Sequence, residues 1–484
     1  MIHGRYQAER VKVFYIGMEI TWIALMLVLY WSFGFGVTKW IIWLVLIHFY
    51  LIFLRNIASS GSLDRGISRL LSLKSLFLLG AYLVFLFPYQ LYVLNLLDIE
   101  QSLFLRSFTY SNYSNPALLL SGLLIGCFSM GWEIASNRAW SVTKSSVSRQ
   151  SLEIDNALSS ILLVGFLLLI PGYLFSGLRS TAEQRYQGEV VQEVLAEALY
   201  FTITLFCMIS FSLCIYQKMR VKKFTIKIKL IFLVSLLWQF RLLLVGDRNS
   251  FFLLAIIQFV GYGHYIRRPN MPTLAALSFA SIYLYFVIEN FRAEKVKDLN
   301  TFISLGTQND WSILGETSLN ITTISLRASL SMIDESDQLF FGLFKVIGLL
   351  GVIPFSRGLL LPDSVRVTDT SQLITEYIFG QSPHWQVGTS LIADSFIDFG
   401  VVGVIVISFI YGFIGAFMQD RAMHAQSFSN VCTYLLLLAF YFQLPRYSAD
   451  FPVRSIAWTW LVILFAQLLS NSSRVKSRNL DGFR

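Results

Sequence analysis

Residues 198–246 read ALYFTITLFCMISFSLCIYQ (198–217), KMRVKKFTIKIK (218–229) and LIFLVSLLWQFRLLLVG (230–246). Two apolar runs, each about long enough to cross a hydrocarbon core of roughly 30 Å, flank a segment rich in Lys and Arg and free of acid. The pattern predicts two membrane-spanning helices joined on the cytoplasmic side, where Lys and Arg accumulate.

Working outward, the same alternation predicts spans at 13–31, 38–54, 75–97, 116–136, 157–176, 198–217, 230–246, 250–266, 273–290, 399–418, 431–444 and 455–470. With the N-terminus inside, the inner segments hold 23 Lys and Arg, whereas the short outer segments hold six: Arg106, Arg179, Arg185, Arg248, Arg446 and Arg454. Of the 484 residues, 55% are hydrophobic and 14% charged. A soluble chain carries about 25% charge, so an ordinary soluble enzyme is excluded. The net charge of +9 comes from cytoplasmic flanks and not from a nucleic-acid-binding face. Cys127, Cys207, Cys214 and Cys432 fall in or beside apolar runs without metal-ligand spacing and read as small buried hydrophobes. The first apolar run is too long for a signal peptide and reads as a retained span.

The expected fold is an all-α polytopic integral membrane protein with about 12 transmembrane helices and one long outer loop carrying short helices. Helices 1–9 with short loops occupy 1–290, the long loop 291–386, helices 10–12 387–470, and a cytoplasmic tail 471–484. Within the loop, LFFGLFKVIGLLGVIPF (339–355) is too short to span and carries Lys345, which predicts an interfacial or re-entrant helix. A loop of this length is the expected seat of function.

Polar groups at membrane depth are expensive and each is a functional candidate. Arg248, in the tight outer turn VGDRNSFF, sits where a lipid diphosphate headgroup would lie, and guanidinium offers fixed bidentate donors to phosphate oxygens. Arg292 ends span nine in VIENFRAEK; Arg357 and Arg366 follow the short apolar helix; Arg446 and Arg454 stand between the last two spans. Together they can ring an outward-facing cavity. Their structural alternatives are interfacial charges or a solvated loop, and for Arg241, in LLWQFRLLLV, snorkelling or pairing with a neighbouring helix.

His384 in GQSPHWQVGTS is the candidate proton acceptor, beside Glu376, Asp394 and Asp398. Asp394 and Asp398, four residues apart, share a helix face and either orient a sugar hydroxyl or pair with an arginine. Trp311, Tyr377 and Trp385 can stack on sugar faces or anchor at the interface. No HExxH, Walker A or CxxC pattern appears, and DESD (334–337) reads as an acidic solvated loop. No metal site and no cofactor is expected.

The run VGDRNSFFLLAI, the outer Arg292, the long loop, and VGTSLIADSFIDFGVVGVIVISFIYGFIGA resemble the Wzy-type O-antigen and capsule repeat-unit polymerases over about the last half of the chain. Ser390, Asp394, Asp398, Phe399, Gly400 and Gly403 fill the places of that family's pattern, with Asp394 where Glu is usual and Asp398 where Asn is usual. The resemblance implies a multi-pass enzyme of the bacterial inner membrane, termini cytoplasmic. It would move a growing glycan from undecaprenyl diphosphate to the non-reducing end of a new lipid-linked repeat unit at the periplasmic face, without a metal. On this reading Arg248 and Arg292 hold the diphosphate, with Arg446, Arg357 and Arg366 in support. His384 is the base, Asp394 positions the acceptor, and Trp385, Tyr377 and Glu376 contact sugar. The substrates are undecaprenyl-diphosphate-linked oligosaccharides, and the family implies a chain-length regulator as a partner. An O-antigen ligase differs only in acceptor. A flippase or permease is disfavoured by the long outer loop and by few charges inside spans, mainly Lys39 and Arg241.

Overall fold

The computed structural model describes residues 2–58, 69–96, 110–136, 150–176, 194–220, 224–293, 304, 318–353, 356, 367–380, 387–424 and 427–481. Among them every regular element is helical. The chain runs through Ile2–Ser32 (α1), Lys39–Ala58 (α2), Leu73–Val93 (α3), Ser114–Ala135 (α4) and Gln150–Phe175 (α5). It continues with Val194–Arg220 (α6), Ile226–Val245 (α7), Arg248–Tyr265 (α8), Met271–Ala293 (α9) and Ser318–Ser336 (α10). Leu343–Leu350 (α11), Thr370–Phe379 (α12), Leu391–His424 (α13), Phe428–Gln443 (α14) and Phe451–Asp481 (α15) complete it.

A helix forms at each position where the sequence predicts a span, and ten are long and apolar enough to cross a membrane by length and composition. The protein is an all-α polytopic membrane protein. The two expected spans outside that set are α8, which begins on Arg248 and Asn249, and α9, whose described apolar stretch is Met271–Ser281.

The chain divides into two compact units, 1–141 with 310–420 and 440–454, and 142–309 with 421–439 and 455–484. In the first, α4 is the central helix: Leu118, Leu119, Leu120, Leu123, Leu124 and Ile125 are all inaccessible, which is what an apolar helix without a polar face requires. Its Gly131 meets α13 so closely that a Cβ would strike the carbonyl of Phe409, and a Cβ on Gly412 would strike the carbonyl of Phe128. Two glycines thus set the crossing of α4 and α13, as small residues do where membrane helices touch.

Four of these spans are also joined by charge. Arg55 Nη1 lies 2.9 Å from Glu19 Oε1, His48 Nε2 lies 3.3 Å from Glu19 Oε2, and Lys74 Nζ lies 2.8 Å from Glu133 Oε1. Glu19, His48 and Lys74 are buried, so the sequence reading of charge inside spans, centred on Lys39 and Arg241, was too sparse. Glu19 escaped it as a single polar letter inside an apolar run and Lys74 as one at the margin of its run, each with its partners on other helices.

The described parts of the long connection are mostly helical. α10 packs inside the first unit, buried through most of Thr322–Met332, and its Thr323 donates to the Val84 carbonyl at 3.1 Å. Val84 lies in a π-helical turn, Tyr82–Leu86, where the wider spacing leaves a carbonyl for an outside donor. Arg327 of α10 is 2% exposed and donates to Ser114 Oγ at 3.3 Å. α11 falls within the apolar stretch expected to be helical, 339–355.

Candidate active site

In the first unit, α13 begins at Leu391 with Ser390 Oγ accepting from the Ala393 amide at 3.1 Å, a side-chain cap. This start puts Asp394 and Asp398 on one face of its first two turns. Both are buried, at 2% and 0% exposure. Their cation is Lys345 of α11, with Nζ 2.7 Å from Asp394 Oδ2 and 3.0 Å from Asp398 Oδ2, also donating to the Asp394 carbonyl at 2.8 Å. The expected arginine partner is therefore a lysine. The Thr370 hydroxyl, at the first residue of α12, donates to Asp394 Oδ1 at 2.8 Å, and the Ala449 amide donates to Oδ2 at 2.7 Å. Asp398 Oδ1 faces the Phe344 amide at 3.4 Å. One carboxylate so ties together α11, α12, α13 and the segment before α15.

The other groups of this cluster come from 444–450. A single 3-10 turn, Leu444–Arg446, leads to Ala449, whose amide holds Asp394 and whose carbonyl accepts from the Tyr411 hydroxyl. The Tyr441 hydroxyl donates to the Tyr411 carbonyl at 2.8 Å. Asp450 lies against Gly348, where a Cβ would come within 2.5 Å of its Oδ2. Gly348 is three residues beyond Lys345, so both share one face of α11. Arg446 and Asp450 are half-buried, and neither side chain makes a hydrogen bond or ion pair with another described residue.

In the second unit, Arg248 is the first residue of α8 and 3% exposed. Gly246, at φ +85°, ends α7, and Asp247 caps α8 by accepting from the Ser250 amide at 3.2 Å while taking the Tyr200 hydroxyl at 2.6 Å. The turn between α7 and α8 is thus a braced helix–helix corner that fixes where Arg248 stands. Arg241 sits over the rings of Trp238 and Tyr173, at 4.8 and 5.2 Å, so its partners are aromatic faces of its own and a neighbouring helix.

A family model described as O-antigen polysaccharide polymerase Wzy matches residues 18–476, nearly the whole chain. The chain belongs to the Wzy family. No curated protein and no solved structure matches it. Membership makes this Wzy protein a glycosyltransferase-type polymerase of O-antigen repeat units, and it sets aside transport as the primary activity.

The remaining candidates of this Wzy protein are spread unevenly. His384, Trp385, Arg357 and Arg366 lie outside the described residues, as does Trp311. Arg292 is on the last turn of α9, with its side chain outside the described set. Glu376, on α12, accepts from Gln372 at 3.0 Å. Tyr377 donates to Glu335 at 2.7 Å. Asp394 and Asp398 are predicted residues that the first unit brings together, on Lys345, and Arg446 lies three residues along the chain from Ala449, whose amide holds Asp394. Among the described residues no group of three or more His, Cys, Asp and Glu is placed to hold a metal ion.

Lys345 and Asp450 are the residues the sequence reading passed over. Lys345 stood in view as an oddity in an apolar stretch, and an unpaired cation there is a signal for a buried acid. Asp450, in LPRYSADFPVRS, carried no pattern of its own. The Wzy-like spacing also gains a physical meaning. Gly400 adopts φ +62°, ψ −152°, a conformation essentially reserved for glycine, and it kinks α13 two residues after Asp398. Gly400→Ala is expected to cost about 1–3 kcal/mol and to lower the detergent melting temperature of the purified protein. An unchanged melt would show that the kink is not needed.

Proposed function

We propose that the protein transfers a growing glycan from undecaprenyl diphosphate to the non-reducing end of a new lipid-linked repeat unit, at the periplasmic face of the bacterial inner membrane, with both termini cytoplasmic. An acceptor hydroxyl attacks the anomeric carbon of the growing chain. The bond from that carbon to the diphosphate oxygen breaks, the hydroxyl proton passes to a protein base, and undecaprenyl diphosphate leaves as an anion. No metal is needed if cationic side chains take the departing charge.

The observation that carries this reading is the segment 446–450, where a half-buried arginine and a carboxylate without described polar partners flank the peptide that holds Asp394. Arg446 supplies a planar guanidinium for phosphate oxygens. Asp394 positions: with Lys345, Thr370 and Ala449 on its oxygens it fixes the geometry around it. Arg248 and Arg292, in the other unit, stand as separate candidates for the diphosphate, as do Arg357 and Arg366. His384 is the candidate base from the sequence, and Asp450 is the carboxylate that the structure adds. Trp385, Tyr377 and Glu376 remain the sugar-contacting candidates. A chain-length regulator is the expected partner.

The test is reconstitution in liposomes with extracted lipid-linked repeat units and a chelator, with products resolved by size. A lengthening ladder is expected; its absence with intact cognate substrate, together with transfer to a lipid A core acceptor, would make the protein a ligase. Removing the base is expected to lower the rate by about 10²–10⁴-fold. His384→Ala and Asp450→Asn therefore separate the two candidates: the variant that keeps the wild-type rate is not the base.

A further inference from the structure

Three segments that the Lys and Arg distribution assigns to the outer face meet in the first unit, away from the lysine–aspartate cluster. The turn between α1 and α2 is stitched to the start of α4: the Gly36 amide donates to the Asn112 carbonyl at 2.6 Å, the Asn115 amide to the Gly36 carbonyl at 3.0 Å, and the Thr38 amide to Asn115 Oδ1 at 2.9 Å. The third segment is the C-terminal end of α10, with α12 beside it. Tyr113 donates to Asp334 Oδ2 at 2.9 Å, and Tyr377 to Glu335 Oε1 at 2.7 Å. Ser331 donates to Glu335 at 3.1 Å and lies 3.0 Å from the Tyr377 hydroxyl.

The rings are arranged as a surface. Tyr110 and Tyr377 stack with centroids 6.0 Å apart at 29°, and Phe35 meets Tyr113 edge to face at 5.3 Å. Phe35 is 65% exposed, Asp334 and Glu335 are exposed, and the three tyrosines are half-buried. Tyr110 is held at φ +45°, rare for a bulky side chain, so its ring is placed by a backbone that costs energy to keep. Burial pushes the Tyr377 hydroxyl up to about 12, with Glu335 adding to the shift, so the hydroxyl stays a donor.

The chemistry of such a patch is specific. Aromatic faces offer an apolar surface to the C–H side of a sugar ring, and fixed carboxylates accept hydrogen bonds from its hydroxyls. Among the described residues, Glu335 Oε2 and Asp334 Oδ1 accept no hydrogen bond, which leaves one oxygen of each carboxylate for a ligand. Two acids without a described cation also repel phosphate and uronic acids, so this patch is not a diphosphate site. α12 connects it to the chemistry: Thr370 at its start bonds Asp394, and Tyr377, seven residues on, stands about 10 Å along the axis.

We propose that Tyr110, Tyr113, Tyr377, Asp334 and Glu335 form a binding platform for neutral sugar rings of the lipid-linked repeat unit. This rests on the polymerase reading for the source of the glycan, but its recognition chemistry stands apart from it. The probe is the repeat-unit oligosaccharide released by mild acid from the host's own lipid-linked intermediates, titrated against the full-length protein in detergent by ligand-observed NMR. Tyr377→Ala and Tyr110→Ala are each expected to weaken binding about tenfold, the loss of one stacked ring. Tyr377→Phe keeps the ring and loses only the hydroxyl's contacts with Glu335 and Ser331, so it should retain most of the affinity and shows that the site still folds. Glu335→Gln should reduce discrimination against a uronic acid probe. Equal binding by wild type and both alanine variants overturns the platform, even if the protein polymerises. Weakened binding in the alanine variants, with no ladder from wild type in liposomes, upholds the platform and overturns the polymerase reading.

Discussion

Lys345→Ala should be the most damaging single substitution in the first unit. The change removes the cation that faces both Asp394 and Asp398, and it leaves two buried carboxylates whose desolvation was offset by one ammonium group. Breaking a buried ion pair from one side costs about 3–5 kcal/mol. In a detergent thermal ramp this corresponds to a fall of roughly 5–10 °C in the apparent melting temperature. The acids decide the sign of the second half of the experiment. Asp394→Asn with Asp398→Asn on the Lys345→Ala background removes the orphaned charges and should recover part of the loss, because coupled neighbours are not additive. If Lys345→Ala melts with wild type, the cluster holds nothing together and Asp394 loses its positioning role.

Arg446→Ala should leave stability nearly unchanged and remove most of the polymerisation. Its side chain makes no hydrogen bond or ion pair with another described residue, so truncation breaks no contact seen among them. The reaction, in contrast, loses a donor at the point where diphosphate charge develops, and removing one such donor costs about 10²–10³-fold in rate. Arg446→Lys should restore little, since an ammonium cannot make the paired, planar contact with phosphate oxygens. The readout is the initial rate of ladder growth in proteoliposomes at saturating repeat unit. A wild-type rate for Arg446→Ala excludes the residue from the diphosphate site.

The architecture was legible in the sequence because membrane spans are written in runs. Each apolar stretch of 198–246 became a helix, and the cationic segment between them fell at helix ends. α10 was not legible for the opposite reason: TTISLRASLSM is buried along its whole length, Ser, Thr and one Arg together with Ile324, Leu326 and Leu330, and a helix covered on every side with polar and apolar residues mixed leaves no hydrophobic period to read. In the candidate site, Asp394 and Asp398 were found by their spacing, and Arg446 by its place between spans. Lys345 and Asp450 were not, because their meaning arises from α11 lying against α13 and the 444–450 segment, a juxtaposition of residues about 50 and 100 positions apart in the sequence.

Glu19 also constrains how the protein is made. A lone carboxylate inside the first span adds a few kcal/mol to the cost of placing that helix in lipid by itself, about 3 kcal/mol for a charged side chain at the bilayer centre. Its cationic partner, Arg55, and the imidazole of His48 arrive with α2, and Ser129, whose hydroxyl donates to it, arrives two spans later with α4. The first helix is therefore expected to remain beside the insertion machinery until its partners emerge, so that the leading four helices enter the bilayer as a group and not one after another.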